Sequence, residues 1–229
     1  TNLPFNQYTT SLVDFDWNIK DQMVYFKSDT ASVGVFASKV ANQDSLRFNG
    51  KNARYNLKDF SLEIGGVDFI HAADAKIFPD KGMVTIRSNG LIDSFANAII
   101  ICDTINQNHK IIKANVKVKG RKDYVASGFY EYNLPGKNQE IAFSSIIGQR
   151  VGKGLMSQKA TATRAKGEID ALDDFRIDTK TSFYGEIGLS SEDINLSFDG
   201  YARLESSAIE ENSWFRLNTR ADKKNLVIE

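Results

Sequence analysis

FRIDTKTSFYGEIGL, residues 175–189, carries the alternation that decides the fold class. Every second residue from Phe175 to Leu189 is apolar, β-branched or glycine, and polar residues, Tyr184 and Gly188 stand between them. Successive side chains of a β-strand point to opposite faces, so the stretch predicts one long strand. The turn-like SSED and a second alternating run, INLSFDGYARLE at 194–205, follow it. Together they predict a long antiparallel hairpin with one dry face and one solvated face.

The same two-residue period recurs along the chain. VDFDWNIK at 13–20 places Val13, Phe15, Trp17 and Ile19 on one face of a predicted strand. Further predicted strands are MVYFKS at 23–28 and KANVKVKG at 113–120. The sequence therefore predicts an all-β protein, with mostly antiparallel hairpins in its C-terminal half.

The middle of the chain suggests a repetitive β architecture. Four segments each begin with an alanine that precedes alternating apolar residues: ARYNL from Ala53, AKIFP from Ala75, AIIIC from Ala98 and ANVKV from Ala114. Intervals of about 20 residues are typical of the stacked rungs of a β-solenoid. A β-jellyroll or β-sandwich gives the same pattern, so the architecture is either a solenoid or one of these.

Residues 90–107 fit a helix or a strand. Leu91, Phe95, Ala98, Cys102 and Ile105 follow a 3.6-residue period, which is helical. The β-branched run at 99–101 favours a strand.

Pro135-Gly136 forms the clearest turn and the candidate boundary between two halves. Residues 1–134 are then a repetitive β-rich segment, and residues 135–229 are an antiparallel β segment continuous with it, so that one domain also fits. The chain lacks an initial methionine and ends on the strand-like NLVIE. We expect a piece of a longer protein.

Composition narrows the function classes. Lys plus Arg and Asp plus Glu both number 29, so the formal net charge is zero. A neutral chain is not expected to bind nucleic acid through its overall charge. The longest apolar run, Ala98 to Cys102, is far shorter than a membrane helix requires. Cys102 is the single cysteine and lies in that run, so we expect a buried, unreactive thiol.

No motif in the sequence carries a recognisable chemistry. His71 with Asp74, and His109 with Asp103, offer too few metal ligands, and their spacing matches no metal loop. FPDKG at 78–82 predicts a turn between two strands. The acidic pairs at 14 and 16 and at 173–174 fit solvated strand faces or caps better than glycosidase acids. We therefore expect no catalysis, no cofactor and no metal.

The candidate contact residues are tyrosines and lysines of the central strands. SGFYEYNL places Tyr130 and Tyr132 on the face opposite Phe129, where they stack on a sugar ring or anchor a protein partner. KVKGRKDY adds Lys117 and Lys119, which attract an anionic glycan or lipid headgroup. A solvated strand face is the plainer interpretation of both sets.

Five short motifs resemble one known family. They are the QDSL run at 43–46, the A-x-Y-x-L strand at 53–57, the V-x-x-I strand at 67–70, ADAKIFP at 73–79 and the G-x-V-x-I strand at 82–86. Three further matches, ANAII, ASGFYEY and LSFDGYARL, extend the resemblance over most of the chain. The chain resembles very large, β-rich proteins of Bacteroidetes and related bacteria, which have no assigned activity. The resemblance implies a fragment of a long envelope protein, in an extracytoplasmic or periplasmic location, and supplies no site residues.

Three functions fit these observations. The first is a non-catalytic structural or interaction segment that contacts a protein partner, or itself, through strand edges. The second is a lipid- or glycan-binding β module, like the lipopolysaccharide-transport fold in architecture alone. The third is a polysaccharide-acting enzyme that uses Arg176, Asp178 and Lys180 on one wet face. We expect the first.

Overall fold

The computed structural model describes residues 1–27, 33–103, 105–151, 160–205 and 213–219, and the backbone of 227–228. The described chain is all-β, as predicted, and its helical segments are three short 3-10 turns at Ala41–Gln43, Asp80–Gly82 and Ser88–Gly90. Within these residues there is no helix with the length and apolar character needed to span a membrane.

Two antiparallel sheets account for the strands of the described residues. The larger, sheet A, contains β1 Asn2–Leu3, β2 Tyr8–Thr10, β5 Gly34–Ser38, β6 Arg47–Gly50, β9 Ile70–Ala72, β10 Ala75–Phe78, β12 Phe95–Cys102, β13 His109–Gly120, β14 Asp123–Glu131, β15 Glu140–Arg150, β16 Thr161–Ile169, β17 Arg176–Asp178, β18 Thr181–Ser190, β19 Ser197–Leu204, β20 Phe215–Asn218 and β21 Val227–Ile228. Sheet B contains β3 Phe15–Asn18, β4 Met23–Lys27, β7 Asn52–Asn56, β8 Leu62–Gly65 and β11 Val84–Ile86.

The chain alternates between the sheets in its first third and then stays in sheet A. Sheet B runs in the order β11-β8-β7-β4-β3, and sheet A runs from β1 at one edge to β21 at the other without closing. From β12 to β16, and again from β18 to β21, each strand pairs antiparallel with the next. The predicted antiparallel hairpins of the C-terminal half are confirmed.

One hydrophobic core is shared by both sheets. Ile64 of sheet B packs where Gly50 of sheet A has no side chain: a Cβ on Gly50 would lie 2.5 Å from Ile64 Cγ2 and 3.1 Å from Phe36 Cε2. Interiors are close-packed, so even one added methyl group there would displace its neighbours. Sheet B therefore covers part of the inner face of sheet A.

The four alanines of the apparent repeat are all buried. Ala98 and Ala114 are direct partners across β12 and β13, and Ala75 lies in β10 of the same sheet. Ala53 lies in β7 of sheet B. The recurring small residue thus marks strand positions that face the core, in two different sheets.

Residues 90–107 contain the strand β12, and a bulge explains their helical period. The register with β13 shifts between Phe95 and Ala98 and again before Ile100, and Asn97 has a positive φ of 54°. A bulge inserts an extra residue and changes the phase of the alternation. Phe95 and Ala98, three residues apart, consequently both face the core.

The stretch 175–189 is two strands, so the prediction of a single long one is wrong. Asp178 stops the first: its Oδ1 accepts the Lys180 N–H at 2.7 Å, and its Oδ2 accepts the Thr181 hydroxyl at 2.9 Å. Such a side-chain cap stabilises a turn. β17 consequently folds back on β18, while β18 and β19 form the predicted hairpin.

The predicted turn at 78–82 is present between β10 and β11, with φ of 53° at Lys81 and 63° at Gly82. It carries the chain from sheet A to sheet B instead of closing a hairpin. The Pro135-Gly136 turn, which marks the candidate boundary at 134/135, connects β14 to β15, and these strands pair from Tyr124–Gly148 to Glu131–Glu140.

Candidate functional site

The two candidate tyrosines lie on the inner face of sheet A. Tyr130 is half-buried, with its ring against Phe143 and its hydroxyl 3.4 Å from His109 Nδ1. Tyr132 is half-buried too, and its hydroxyl donates to the Ile177 carbonyl at 2.8 Å. Burial raises the pKa of both phenols. These rings pack against the core rather than standing out as a flat exposed platform.

The two candidate lysines lie on the opposite, outer face. Lys117 and Lys119 are exposed on β13, where they alternate with the buried Val116 and Val118. Opposite faces of a sheet do not meet, so the structure does not bring these lysines together with Tyr130 and Tyr132. The two tyrosines share the inner face and the two lysines share the outer face, so the four residues do not form one site.

The two histidines contact other groups of the protein. His109 is buried, and its Nε2 donates to the Asp193 carbonyl at 2.7 Å. His71 is exposed, with Phe69 against its ring, and partial desolvation together with the nearby charges of Lys76 and Arg121 lowers its pKa. Within the described ranges, no three His, Cys, Asp or Glu side chains are placed to share a metal ion.

A chain of buried polar groups crosses the interior. Tyr124 donates to Thr163 Oγ1 at 2.8 Å, and Thr163 donates to Asp74 Oδ1 at 2.6 Å. Cys102 lies beside it, fully buried as predicted, and burial raises the pKa of its thiol to about 12. A thiol with such a pKa is not a nucleophile at neutral pH. The group connects β14, β16 and the turn before β10.

Two of the three residues considered for a polysaccharide-acting enzyme make contacts within the fold. Asp178 caps the turn after β17, as described above. Arg176 forms an ion pair with Glu205 at 2.7 Å. Both groups are thus held in contacts that shape the end of the β18–β19 hairpin.

The edge strand β3 and the residues that flank it expose apolar side chains. Within β3 these are Phe15, 55% exposed, and Trp17, 58% exposed, and the flanking residues are Val13, 69% exposed, and Ile19, 70% exposed. We call these four residues the β3 stripe. Scattered exposed apolar residues are normal, but a contiguous stripe marks an interaction surface. The sequence predicted their common face, and it held no signal that this face would be uncovered.

The β3 stripe continues the core. Phe15 is the register partner of Phe26, with ring centroids 6.0 Å apart, and Phe26 is buried. Trp17 is likewise opposite Val24, which packs on the core. The inner face of sheet B therefore continues onto β3, beyond the part of that face that is packed in the core.

The backbone of β3 is also open on one side. Asp14 accepts the Lys27 N–H at 3.3 Å, and hydrogen-bonded pairs alternate along an antiparallel ladder. The backbone N–H and C=O groups of Asp14, Asp16 and Asn18 accordingly point toward β4. The backbone N–H and C=O groups of Phe15 and Trp17 point outward, away from the sheet. In the described part of the chain, no strand pairs with that outer side of β3.

Comparison with known proteins adds no relative. No family model, curated protein or solved structure matches this chain.

Proposed function

We propose that this chain is a non-catalytic interaction segment of a large, β-rich bacterial envelope protein, with an extracytoplasmic location. The observation that carries the proposal is β3, which combines an uncovered apolar stripe with unpaired backbone groups. An edge of this kind is a template for addition of another strand. Backbone hydrogen bonds supply affinity, and the stripe supplies specificity.

The partner that fits is β3 of a second copy, paired antiparallel about a two-fold axis. Centring the pair on Trp17 sets Phe15 opposite Ile19 of the second copy, so that the two stripes share one face. The polar face then has Asp16 opposite Asn18 and Asp14 opposite Lys20. Centring it on Phe15 or Asp16 would instead place carboxylates opposite each other, which is unfavourable. Charge complementarity therefore selects the register about Trp17.

Sedimentation equilibrium of the whole chain over a range of concentrations tests the proposal. We expect a reversible dimer in the wild type and a monomer in Trp17→Asp, because the substitution places a carboxylate in the middle of the stripe. Leu172→Asp is the matched control: Leu172 is 93% exposed but lies outside the β3 stripe, so this variant should still dimerise.

A peptide of residues 13–19 separates strand pairing from nonspecific adhesion. It should compete with the dimer, and the same peptide with N-methyl groups at Phe15 and Trp17 should not, because methylation removes the outward N–H donors. A wild-type chain that is monomeric up to roughly 1 mM, where association is worth only about 4 kcal/mol, and that ignores the peptide would overturn the proposal.

For the architecture we propose a sandwich-like arrangement instead of a solenoid. Sheet B lies against part of the inner face of sheet A, and one core fills the space between them. The antiparallel pairing of consecutive strands supports the same choice.

A further inference from the structure

A groove of about 600 Å³ crosses β16, β18, β19 and β20 on the outer face of sheet A, far in sequence from β3. Its floor includes Gly185 and Gly200, which are direct partners in the β18–β19 ladder. Neither position accepts a side chain: Gly185 has a φ of 135°, and a Cβ on Gly200 would lie 2.1 Å from the Tyr184 carbonyl oxygen. The depression is thus built into the sheet.

An aromatic wall borders one side of this floor. Tyr184 and Tyr201 stack with ring centroids 5.2 Å apart and an interplanar angle of 19°. Trp214 places its ring edge-on to Tyr184 at 4.8 Å. Arg216 lies over Tyr201, 5.6 Å from the ring centroid, and forms an ion pair with Asp199. The rings are held in place by their neighbours before any ligand arrives.

A polar wall borders the other side. Glu168 of β16 and Asp199 of β19 line it, and the loop that follows β16 brings Asp170 and Asp173 to the same groove. That loop is fixed by its own bonds: the Asp170 N–H donates to Asp173 Oδ2 at 2.8 Å. We call the whole arrangement the tyrosine groove.

We infer that the tyrosine groove binds an uncharged pyranose unit of a glycan. A pyranose has apolar C–H faces that lie against tyrosine rings, and its hydroxyls both donate and accept hydrogen bonds. The carboxylates accept from such hydroxyls, and Arg216 donates to them. The volume is ample for a disaccharide, since ligand sites typically begin at about 300 Å³.

The charges of the groove exclude other ligands of similar size. Four carboxylates and one guanidinium line it, so an acidic sugar or a phosphate is repelled. An acyl chain would displace water from these carboxylates without offering them a hydrogen-bond donor, which is unfavourable. A cationic ligand is the remaining competitor, because the excess of carboxylates attracts it.

The fluorescence of Trp214 reports binding, because its ring touches Tyr184. The chain has two tryptophans, so Trp17→Phe leaves Trp214 as the single emitter. The probes are cellobiose, maltose and N,N′-diacetylchitobiose, with digalacturonic acid and tri-lysine as charged comparisons. We expect one of the neutral disaccharides to change the emission with a dissociation constant in the millimolar range, and digalacturonic acid to leave it unchanged.

Variants in the same background then locate the site. Tyr184→Ala removes the ring that faces the groove and should weaken binding about tenfold. Glu168→Gln keeps the fold and the side-chain volume, and it should weaken binding by a smaller factor through loss of a charged acceptor. Phe129→Ala removes a comparably exposed aromatic ring in β14, outside the groove, and should leave the affinity unchanged.

Two results would overturn the inference. One is no response to any of the three disaccharides at roughly 100 mM, well above a millimolar dissociation constant. The other is a response to tri-lysine that disappears in Tyr184→Ala while the disaccharides do nothing, which identifies a cation site. Neither result bears on the dimer at β3, because the tyrosine groove and the β3 stripe have no residue in common.

Discussion

β13 and β3 have the same alternating sequence pattern and opposite surroundings. In β13 the alternating positions Ala114, Val116 and Val118 are buried, whereas the β3 stripe is more than half exposed. β13 pairs with β12 and β14 and faces the shared core, while β3 pairs only with β4 in the described chain. Alternation therefore identifies a strand and its apolar face, and the position of the strand in the sheet decides whether that face is covered.

The largest expected difference between the two strands is in their tolerance of charge. Val116→Asp should lower the free energy of unfolding by about 3 kcal/mol or more, because a carboxylate is forced into the core without a partner. Trp17→Asp should lower it by at most about 1 kcal/mol, because more than half of the side chain is already exposed and only its contact across the strand pair with Val24 is lost. Urea unfolding followed by circular dichroism, at concentrations below dimerisation, measures both. Equal losses in the two variants would contradict the assigned burial.

The sequence predicted the fold class because alternation is a local property of each strand. It predicted the hairpin that β18 and β19 form, and the turn at 78–82, for the same reason. It missed the break at Asp178, where a side-chain cap competes with the continuing apolar pattern. At 90–107 it left helix and strand open, because the bulge at Asn97 produces a helical spacing inside a strand.

The candidate sites were harder to predict, because they depend on which sheet faces meet. Tyr130 and Tyr132 were correctly placed on one face, but nothing local shows that this face is the inner one. The tyrosine groove joins Tyr184, Tyr201 and Arg216 from three strands. Only the register of those strands brings them together, and a single sequence does not contain that register.

The second largest expected effect is a loss of stability at high pH, which tests the burial of groups in the interior. Burial raises the pKa of the Tyr124 phenol and of the Cys102 thiol above their values in the unfolded chain. The folded state then binds more protons, so stability is fully present below pH 9 and falls as the pH rises past about 9 to 10. An unfolding free energy that stays constant from pH 8 to pH 11 would contradict the burial of these groups.

Tyr124→Phe isolates one contribution to that alkaline loss. The variant should be less stable at pH 7 by about 1 kcal/mol, because the hydrogen bond to Thr163 is lost. It should also lose less stability than the wild type above pH 10, because it has no phenol to deprotonate. Phe36→Leu, a change at another fully buried ring, is the control and should shift the profile downward without changing its slope. Urea midpoints measured at each pH distinguish the two behaviours.

The smallest effect tests how the β3 edge finds its partner. With the pair centred on Trp17, Asp14 lies opposite Lys20 of the second copy, so Asp14→Lys should weaken the dimer about two- to fivefold, the range of one cross-strand charge pair. Centred on Phe15, the same substitution would set a lysine opposite Asp16 and strengthen the dimer. Centred on Asp16, it would face Asn18 and change little. Sedimentation equilibrium of Asp14→Lys beside the wild type therefore reads the register directly, since the three alignments predict a weaker, a stronger and an unchanged dimer.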